Sequence, residues 1–518
     1  MPFKALNHQR KEETGHSYTY SHTTKHLTLL TKSKRSQSAL EYMMTYGWAI
    51  LIIVIVAVIL YSMGIFNPSS SVTFTSSGFA PFTVSSSLCN NLGYKIAVIA
   101  GPLPNNANSL TISKVFLTSA TGANTTTASY TLPSPISLTS GKTATILIPN
   151  VACPSIGTHY SLSASIQYGY STLAGNVVEN TTGTIAGTSI AGKPSVLTSY
   201  EPLTITNTQS SATPNPFQQM VNFTSSDSGW TSISTDFGQN VEFFYYNGTV
   251  IPSWLENYTS NHALWWLKVV AIPAGSSETV YVGFAPTSTN LFNTVNDGEA
   301  PQLSSTYAEY DDGADVFNFY TDFASSSLNQ SVWNVFNGSG GGGRIYTGDG
   351  LNITIGNSGQ AAQGEWLQTK QLFSPNTIVD TYIVGNSHSA GLMETNSSTI
   401  GGCVVLDEFN QGGCDQGLQF NGNNLEGGYA CIGSQPLAVP NQTVSLVYLG
   451  SIFRVSDGYN PWYNFTESFV SCQNPSKLSL SVGYYPWADS VTARWLWVDG
   501  RAYPPNGIMP SLSFGSVA

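Results

Sequence analysis

The sequence predicts an all-β extracellular region, built of tandem β-sandwiches with a C-terminal jelly-roll, on a single N-terminal α-helix. Residues 48–66 carry no charge and form one continuous apolar run. Beyond this run, short stretches of alternating apolar and polar residues are separated by turn residues, which is typical of half-buried antiparallel strands. Only 9% of the 518 residues are charged, so hydroxyl and amide side chains provide the solubility.

The apolar run, within residues 37–66, is long enough to cross a membrane. At 1.5 Å per residue it spans about the 30 Å of a hydrocarbon core. Residues 1–36 hold seven Lys/Arg against two Glu. Because positive segments stay inside, we expect a single pass through membrane lipid, with a cytoplasmic N-terminus and residues 67–518 outside.

The charge balance also restricts the partners. Beyond residue 36 the chain has eleven Lys/Arg against 27 Asp/Glu, which excludes a nucleic-acid partner, since phosphate binding needs a basic surface. Four histidines in the leader, at positions 8, 16, 22 and 26, lack ligand-like spacing. A disordered leader of chance composition is favoured over a metal site, and no metal or cofactor is expected.

The leader and helix carry a processing motif. Lys34-Arg35-Ser36 precedes Gln37-Ser38-Ala39-Leu40-Glu41, and the run continues to Ala49. This resembles the class III signal peptide of archaeal type IV pilin-like surface proteins. The resemblance implies cleavage between Ser36 and Gln37 by a prepilin-type peptidase. It also implies that the carboxylate of Glu41 pairs with the free amino terminus of a neighbouring subunit, and that the subunits assemble into filaments. The alternative is a plain signal anchor, with Glu41 lying at the membrane interface.

Six cysteines all follow the apolar run. In an oxidising compartment they predict disulfides. Domain membership pairs Cys89 with Cys153, whereas Cys403, Cys414, Cys431 and Cys472 allow three connectivities. Eleven Asn-x-Ser/Thr sequons are consistent with an extracellular glycoprotein.

Three β units follow the helix. Residues 72–195 alternate as a sandwich, and their closing run Asn180–Gly187 resembles the immunoglobulin-like head of archaeal pilin-like proteins. Residues 199–286 resemble a domain-of-unknown-function family of secreted multidomain proteins. Residues 300–518 resemble concanavalin-like lectin or glucanase sandwiches, on their opening Phe317–Phe323 and their closing strand Thr492–Arg501.

Catalytic groups are hard to find in the third unit. A glycoside hydrolase needs two carboxylates facing one cleft. Asp407 and Glu408 are adjacent, so on a strand they point to opposite faces and cannot form such a pair. The acidic run Glu309–Asp315 could bind calcium, but it lacks the calcium-loop spacing and a solvated turn is favoured.

Aromatic residues offer a different kind of site. Trp462, Tyr484 and Trp487 could stack on sugar rings, although core packing accounts for most such residues. Two functions follow. The first is a surface adhesin or structural protein that binds an extracellular glycan or glycoprotein without turnover. The second is a surface-tethered glycan-acting hydrolase.

Overall fold

The structure is a computed structural model, and it describes residues 46–56 and 74–518 with gaps. The gaps are 105–106, 120–126, 150, 236–237, 338–343, 357–363, 385–389, 396–403, 409–417, 422–428, 432–441, 451, 458, 460–461, 467–476 and 484–489. The chain divides into two units, Met1–Val72 and Thr73–Ala518, which are treated separately.

In the first of these units, residues 46–56 form an α-helix, α1, whose apolar side chains are exposed, Trp48 by 64%. Within the described ranges, no helix is both long and apolar enough to span a membrane. The processing residues Ser36, Gln37 and Glu41 lie outside the described residues, so cleavage stays a prediction.

The second unit begins with a β-sandwich, here called the first sandwich. Its larger sheet has the order β1-β8-β7-β4-β5 and its smaller sheet the order β2-β3-β6. The strands are β1 Thr75–Gly78, β2 Phe82–Asn90, β3 Gly93–Ala100, β4 Leu110–Ser119, β5 Thr127–Leu138, β6 Thr143–Ile148, β7 His159–Thr172 and β8 Gly175–Thr188.

Alternation explains these strands. Along β7, buried residues occur at nearly every second position, from Tyr160 to Tyr170, and they pack in the core between the sheets. Cys89 on β2 is bonded to Cys153 after β6, with Cα atoms 5.6 Å apart, within the range for a disulfide. The predicted pairing is confirmed. The other four cysteines lie in or beside the gaps, and their pairing stays a prediction.

The second sandwich follows, with sheets ordered β10-β13-β12-β15 and β11-β14-β9-β31. Its strands are β9 Ser199–Asn207, β10 Phe217–Thr224, β11 Val241–Tyr245, β12 Ser253–Tyr258, β13 His262–Val269, β14 Ser276–Phe284, β15 Asp297–Glu299 and, from the far end of the chain, β31 Ser511–Phe514. A 3-10 turn spans Trp230–Ser232.

The C-terminal strand corrects the expected boundary of the third unit. The sequence places residues 300–518 in one jelly-roll, but β31 pairs antiparallel with β9, Leu512 opposite Ile205. Phe514 lies 4.8 Å from the ring of Phe223 in the core of the second sandwich. The chain returns to the second sandwich through Tyr503-Pro504-Pro505 and the 3-10 turn Pro505–Gly507. The second sandwich is therefore discontinuous in sequence.

The third sandwich has one sheet ordered β18-β19-β30-β21-β26-β27-β28, with β16 beside β30, and another ordered β17-β20-β29-β22-β23-β24-β25. After the short helix α2 Gly313–Val316 come β16 Phe319–Thr321, β17 Trp333–Asn337, β18 Arg344–Tyr346, β19 Leu351–Gly356, β20 Gly364–Thr369, β21 Thr377–Val384, β22 Ala390–Thr395, β23 Val404–Glu408, β24 Leu418–Asn421, β25 Tyr429–Cys431, β26 Gln442–Tyr448, β27 Ile452–Asp457, β28 Trp462–Thr466, β29 Lys477–Gly483 and β30 Ser490–Ala502.

Neighbouring sandwiches in the second unit pack directly on one another. Tyr246 of the second sandwich donates a hydrogen bond to the carbonyl of Gly93 in the first, at 2.7 Å. Between the second and third sandwiches lies a separate apolar cluster that includes Trp254, Trp266, Phe317 and Trp497. This second contact positions the candidate site.

Candidate functional site

Two tryptophans on the outer face of the second sandwich begin the site. Trp254 on β12 lies directly opposite Trp266 on β13. Their neighbours Leu255, Trp265 and Leu267 fill the core of the same sandwich, so alternation turns Trp254 and Trp266 outward. Both are fully buried, because the third sandwich covers them; the rings of Trp254 and Trp497 lie 5.0 Å apart at 90°.

A carboxyl group from the second sandwich enters this interface beside Trp266. Glu256 is the extra residue of a β-bulge in β12, between Leu255 and Asn257. Its Oε2 accepts hydrogen bonds from Nε1 of Trp266 at 2.7 Å and from the hydroxyl of Tyr459 at 2.6 Å. Its Oε1 accepts one from Thr443 on β26 at 2.6 Å. A single carboxyl therefore joins side chains of both sandwiches.

The third sandwich supplies a buried ion pair. Arg501 on β30 donates from Nε to Oδ2 of Asp380 on β21 at 2.5 Å, and both side chains are at most 3% exposed. The guanidinium also lies over two rings, 4.7 Å from the centroid of Trp266 and 5.5 Å from that of Tyr459. The pair thereby fixes the guanidinium between aromatic faces.

The interface holds more carboxyl groups than cations. Asp499 lies directly opposite Asp380 in the sheet and is fully buried. Burial raises the pKa of Asp499 well above its ordinary value, and the nearby Asp380 raises it further. Burial also raises the pKa of Glu256, against the opposing effect of its three hydrogen bonds. The raised pKa of Asp499 reflects the cost of a second buried negative charge beside Asp380.

An open pocket lies against this network. It has a volume of about 310 Å³, within the usual range for small-ligand sites. Trp266 and Arg501 form its floor and are almost without exposed surface. Its walls and rim come from both sandwiches. The second sandwich contributes Met220, Asn222, His262 and Leu264. The third sandwich contributes Ile378 and Tyr459, and the chain after β30 contributes Tyr503, Pro504, Gly507 and Met509.

The accessible surface of the pocket combines rings with hydrogen-bonding groups. Tyr459, Tyr503 and His262 are half-buried, and Asn222 is exposed at the rim. Burial lowers the pKa of His262, so its ring is neutral at neutral pH. Nε and Nη2 of Arg501 are directed to Asp380. These groups suit a ligand with both an apolar face and several hydroxyls.

The sequence did not point to these residues. Of the aromatic residues chosen from sequence, Trp462 begins β28 at the edge of its sheet, while Tyr484 and Trp487 lie outside the described residues. The signal that was available is the continuous apolar run Ala263–Leu267, which contains Trp265 and Trp266, with Trp254 before it. A strand with large apolar residues on both faces must be covered on both faces, which indicates an interface.

The acidic run Glu309–Asp315 is not the solvated turn expected from sequence. Asp312 is only 2% exposed, because its carboxyl group packs against Gly298, where a Cβ atom would lie 2.0 Å from Oδ1. Asp311 accepts hydrogen bonds from Nε1 of Trp254 at 2.8 Å and from the hydroxyl of Tyr320 at 2.9 Å. Within the described part of the chain, no three His, Cys, Asp or Glu side chains are arranged to hold a metal ion.

Comparison with known proteins identifies one domain. Residues 237–336 match the family model "Domain of unknown function (DUF2341)", which covers strands β11 to β17. The sequence places its domain of unknown function at residues 199–286, and the matched region extends further, across α2 into the third sandwich.

One curated relative is the "Uncharacterized protein 562" of Sulfolobus islandicus rod-shaped virus 1. It is 28% identical over an alignment 375 residues long, which covers 61% of this chain and 58% of that protein. The matched region thus spans a little over half the length of the relative.

Three solved structures each align with 36% of this chain. A structure from work on endo-acting O-glycanases of the human gut microbiota has a TM-score of 0.29 and 11% identity, over 36% of this chain and 99% of its own. A lichenase from a mouse hindgut metagenome has a TM-score of 0.27 and 14% identity, over 36% and 98%. A pseudo β-1,3-glucanase of Mycobacterium tuberculosis has a TM-score of 0.28 and 14% identity, over 36% and 98%. At these TM-scores the similarity carries no argument about the site.

Proposed function

We propose that this chain is a surface-attached carbohydrate-binding protein whose ligand site is the pocket between the second and third sandwiches. The observation that carries the proposal is the pocket itself. It presents the half-buried rings of Tyr459 and Tyr503 beside hydrogen-bonding groups, over a rigid floor of Trp266 and Arg501. A sugar ring has the matching surface, since its C–H face packs on aromatic rings while its hydroxyls bond to polar side chains.

A neutral glycan fits the pocket better than an acidic one. The single guanidinium at the floor is already paired with Asp380, and Glu256 and Asp499 lie close behind it. A ligand carboxylate would therefore lie over a region rich in carboxyl groups, where the guanidinium of Arg501 is already paired. The neutral His262 adds no positive charge.

Surface attachment is supported from two directions. The Cys89–Cys153 disulfide is typical of an oxidising compartment. The apolar run at residues 48–66, with its basic leader, is the expected anchor. Under this proposal the pilin-like helix holds the binding sandwiches outside the cell, either as single copies or in a filament.

The test is a glycan array probed with the full chain in detergent, followed by analysis of the bound sugars for cleavage products. The exposed Asn222 at the rim begins a sequon, so the protein is best made in a host without N-glycosylation. Binding of neutral glycans without product release is the expected result. Released product would show that the chain is a hydrolase rather than a binding protein. An array with no bound glycan would contradict the proposed function.

A further inference from the structure

We propose that Glu256 is a positioning residue that holds the floor and one wall of the pocket from across the domain interface. This inference rests on the proposed function, because it assigns a role within that same site. It makes the second sandwich part of the binding site of the third. Neither sandwich alone would then present the pocket in its binding geometry.

The hydrogen bonds of Glu256 carry the argument. The same atom, Oε2, receives Nε1–H of the floor residue Trp266 and O–H of the wall residue Tyr459. The two rings lie 5.4 Å apart at 69°, and the guanidinium of Arg501 contacts both. Glu256 is 5% exposed and is anchored on its other oxygen by Thr443. It therefore touches the pocket residues without facing the ligand.

The backbone of Tyr459 indicates why such an anchor is needed. Its φ of 71° lies in the left-handed region, which a non-glycine residue adopts only when surrounding contacts favour it. Its hydroxyl bond to Glu256 and its contact with Arg501 are such contacts. Loss of the carboxyl group would leave that hydroxyl and the Trp266 indole N–H without their buried acceptor.

The molecule contains a matched control. Asp311 accepts from Nε1 of Trp254 and from the hydroxyl of Tyr320, the same pair of donor types, in the same interface. Trp254 is the cross-strand partner of Trp266, yet neither Trp254 nor Tyr320 lines the pocket. Substitution at Asp311 thus disturbs a similarly bonded, half-buried carboxyl group without touching the ligand site.

The experiment measures the dissociation constant for the best glycan of the array, with the full chain and four variants. We expect Glu256→Leu to weaken binding at least tenfold. Glu256→Gln should stay within about threefold, because its amide oxygen still accepts from Trp266 and Tyr459 while its nitrogen donates to Thr443. Asp311→Leu should lower the melting temperature as Glu256→Leu does and leave affinity within threefold. Tyr459→Phe, which removes one donor only, should weaken binding three- to tenfold and keeps the test valid if Glu256→Leu does not fold.

A second readout separates the two claims. Hydrogen exchange at the indole N–H of Trp266 requires no ligand; it should be slow in the wild type and Glu256→Gln and fast in Glu256→Leu, while the Trp254 indole stays protected. If the wild type binds no glycan but this pattern holds, the proposed function fails and the positioning role stands. The positioning role would be overturned if folded Glu256→Leu or Tyr459→Phe bound the glycan as tightly as the wild type. It would also be overturned if Asp311→Leu lost as much affinity as Glu256→Leu.

Discussion

Asp297 is the first residue of β15, and Asp312 packs against Gly298 of the same strand. Both carboxyl groups are buried, and within the described residues each has at least one oxygen without a protein partner. Burial raises the pKa of Asp312 to about 9, with the neighbouring Asp311 adding to the shift, and that of Asp297 to about 8. At neutral pH such groups are protonated in the folded chain and ionise when it unfolds. They tie the stability of the second sandwich to pH.

The sign of this dependence follows from the direction of the shifts. Because the folded pKa of Asp312 lies above its unfolded value near 4, its folded state binds the extra proton. Stability is therefore full below about pH 4 and is lost as pH rises through about 9. We expect the melting temperature to fall across that window.

The substitution Asp312→Asn tests this assignment. It should stabilise the chain at pH 8 by on the order of 1–3 kcal/mol and have little effect at pH 4, since the amide cannot ionise. Thermal melts of wild type and variant across pH 4–9 measure it. Asp315→Asn, at an exposed position in the same segment, is the control. Parallel curves for wild type and Asp312→Asn would refute the assignment.

At the scale of elements, β31 shows what sequence alone can and cannot predict. Alternation along β7 identifies the strand and its buried face, because period two follows from strand geometry. The partner of Ser511–Phe514 is about 300 residues away at β9, and no local pattern encodes that pairing. The pocket cannot be predicted from the sequence for the same reason, because Trp266, Tyr459 and Arg501 come together only when the two sandwiches pack against each other.

Removal of β31 should unfold the second sandwich preferentially. Truncation after residue 510 would expose the edge of β9 and delete the contact of Phe514 with Phe223. Phe514→Ala alone should cost about 2–3 kcal/mol, less than a fully buried phenylalanine because Phe514 is half-buried. Denaturant titration followed by tryptophan fluorescence measures this loss. Ser513→Ala, at an exposed position of the same strand, should be neutral, and an equally neutral Phe514→Ala would contradict the packing argument.

For the whole molecule, the anchor and the binding sandwiches are expected to act together. The motif Lys34-Arg35-Ser36 before Gln37 and Glu41 predicts a processed terminus. Mass spectrometry of surface-extracted protein should find Gln37 as the first residue. Ser36→Trp, which places a bulky residue before the predicted cut, should retain the leader. An intact leader on mature wild-type protein would leave only the plain signal anchor.

Many copies on one surface would make a weak single site sufficient. Linked sites raise avidity without new contacts, so under the proposed function a pocket of about 310 Å³ with weak affinity for each glycan would still retain a cell or a polymer. The packing of Trp254 and Trp266 against the third sandwich keeps the two halves of that pocket in one geometry. Rigid presentation reduces the ordering cost of binding.

Calorimetric titration of the preferred neutral glycan into wild type, Tyr503→Ala and Tyr503→Phe measures directly whether the pocket is the glycan site. Tyr503 lines the pocket and is half-buried, and its hydroxyl accepts a hydrogen bond from Arg454 at 2.5 Å. We expect at least a tenfold weaker affinity for Tyr503→Ala, about 1.4 kcal/mol, because the ring surface is lost. Tyr503→Phe, which keeps the ring, should bind within threefold of wild type. Unchanged affinity in a folded Tyr503→Ala variant would place the carbohydrate site elsewhere and contradict the account.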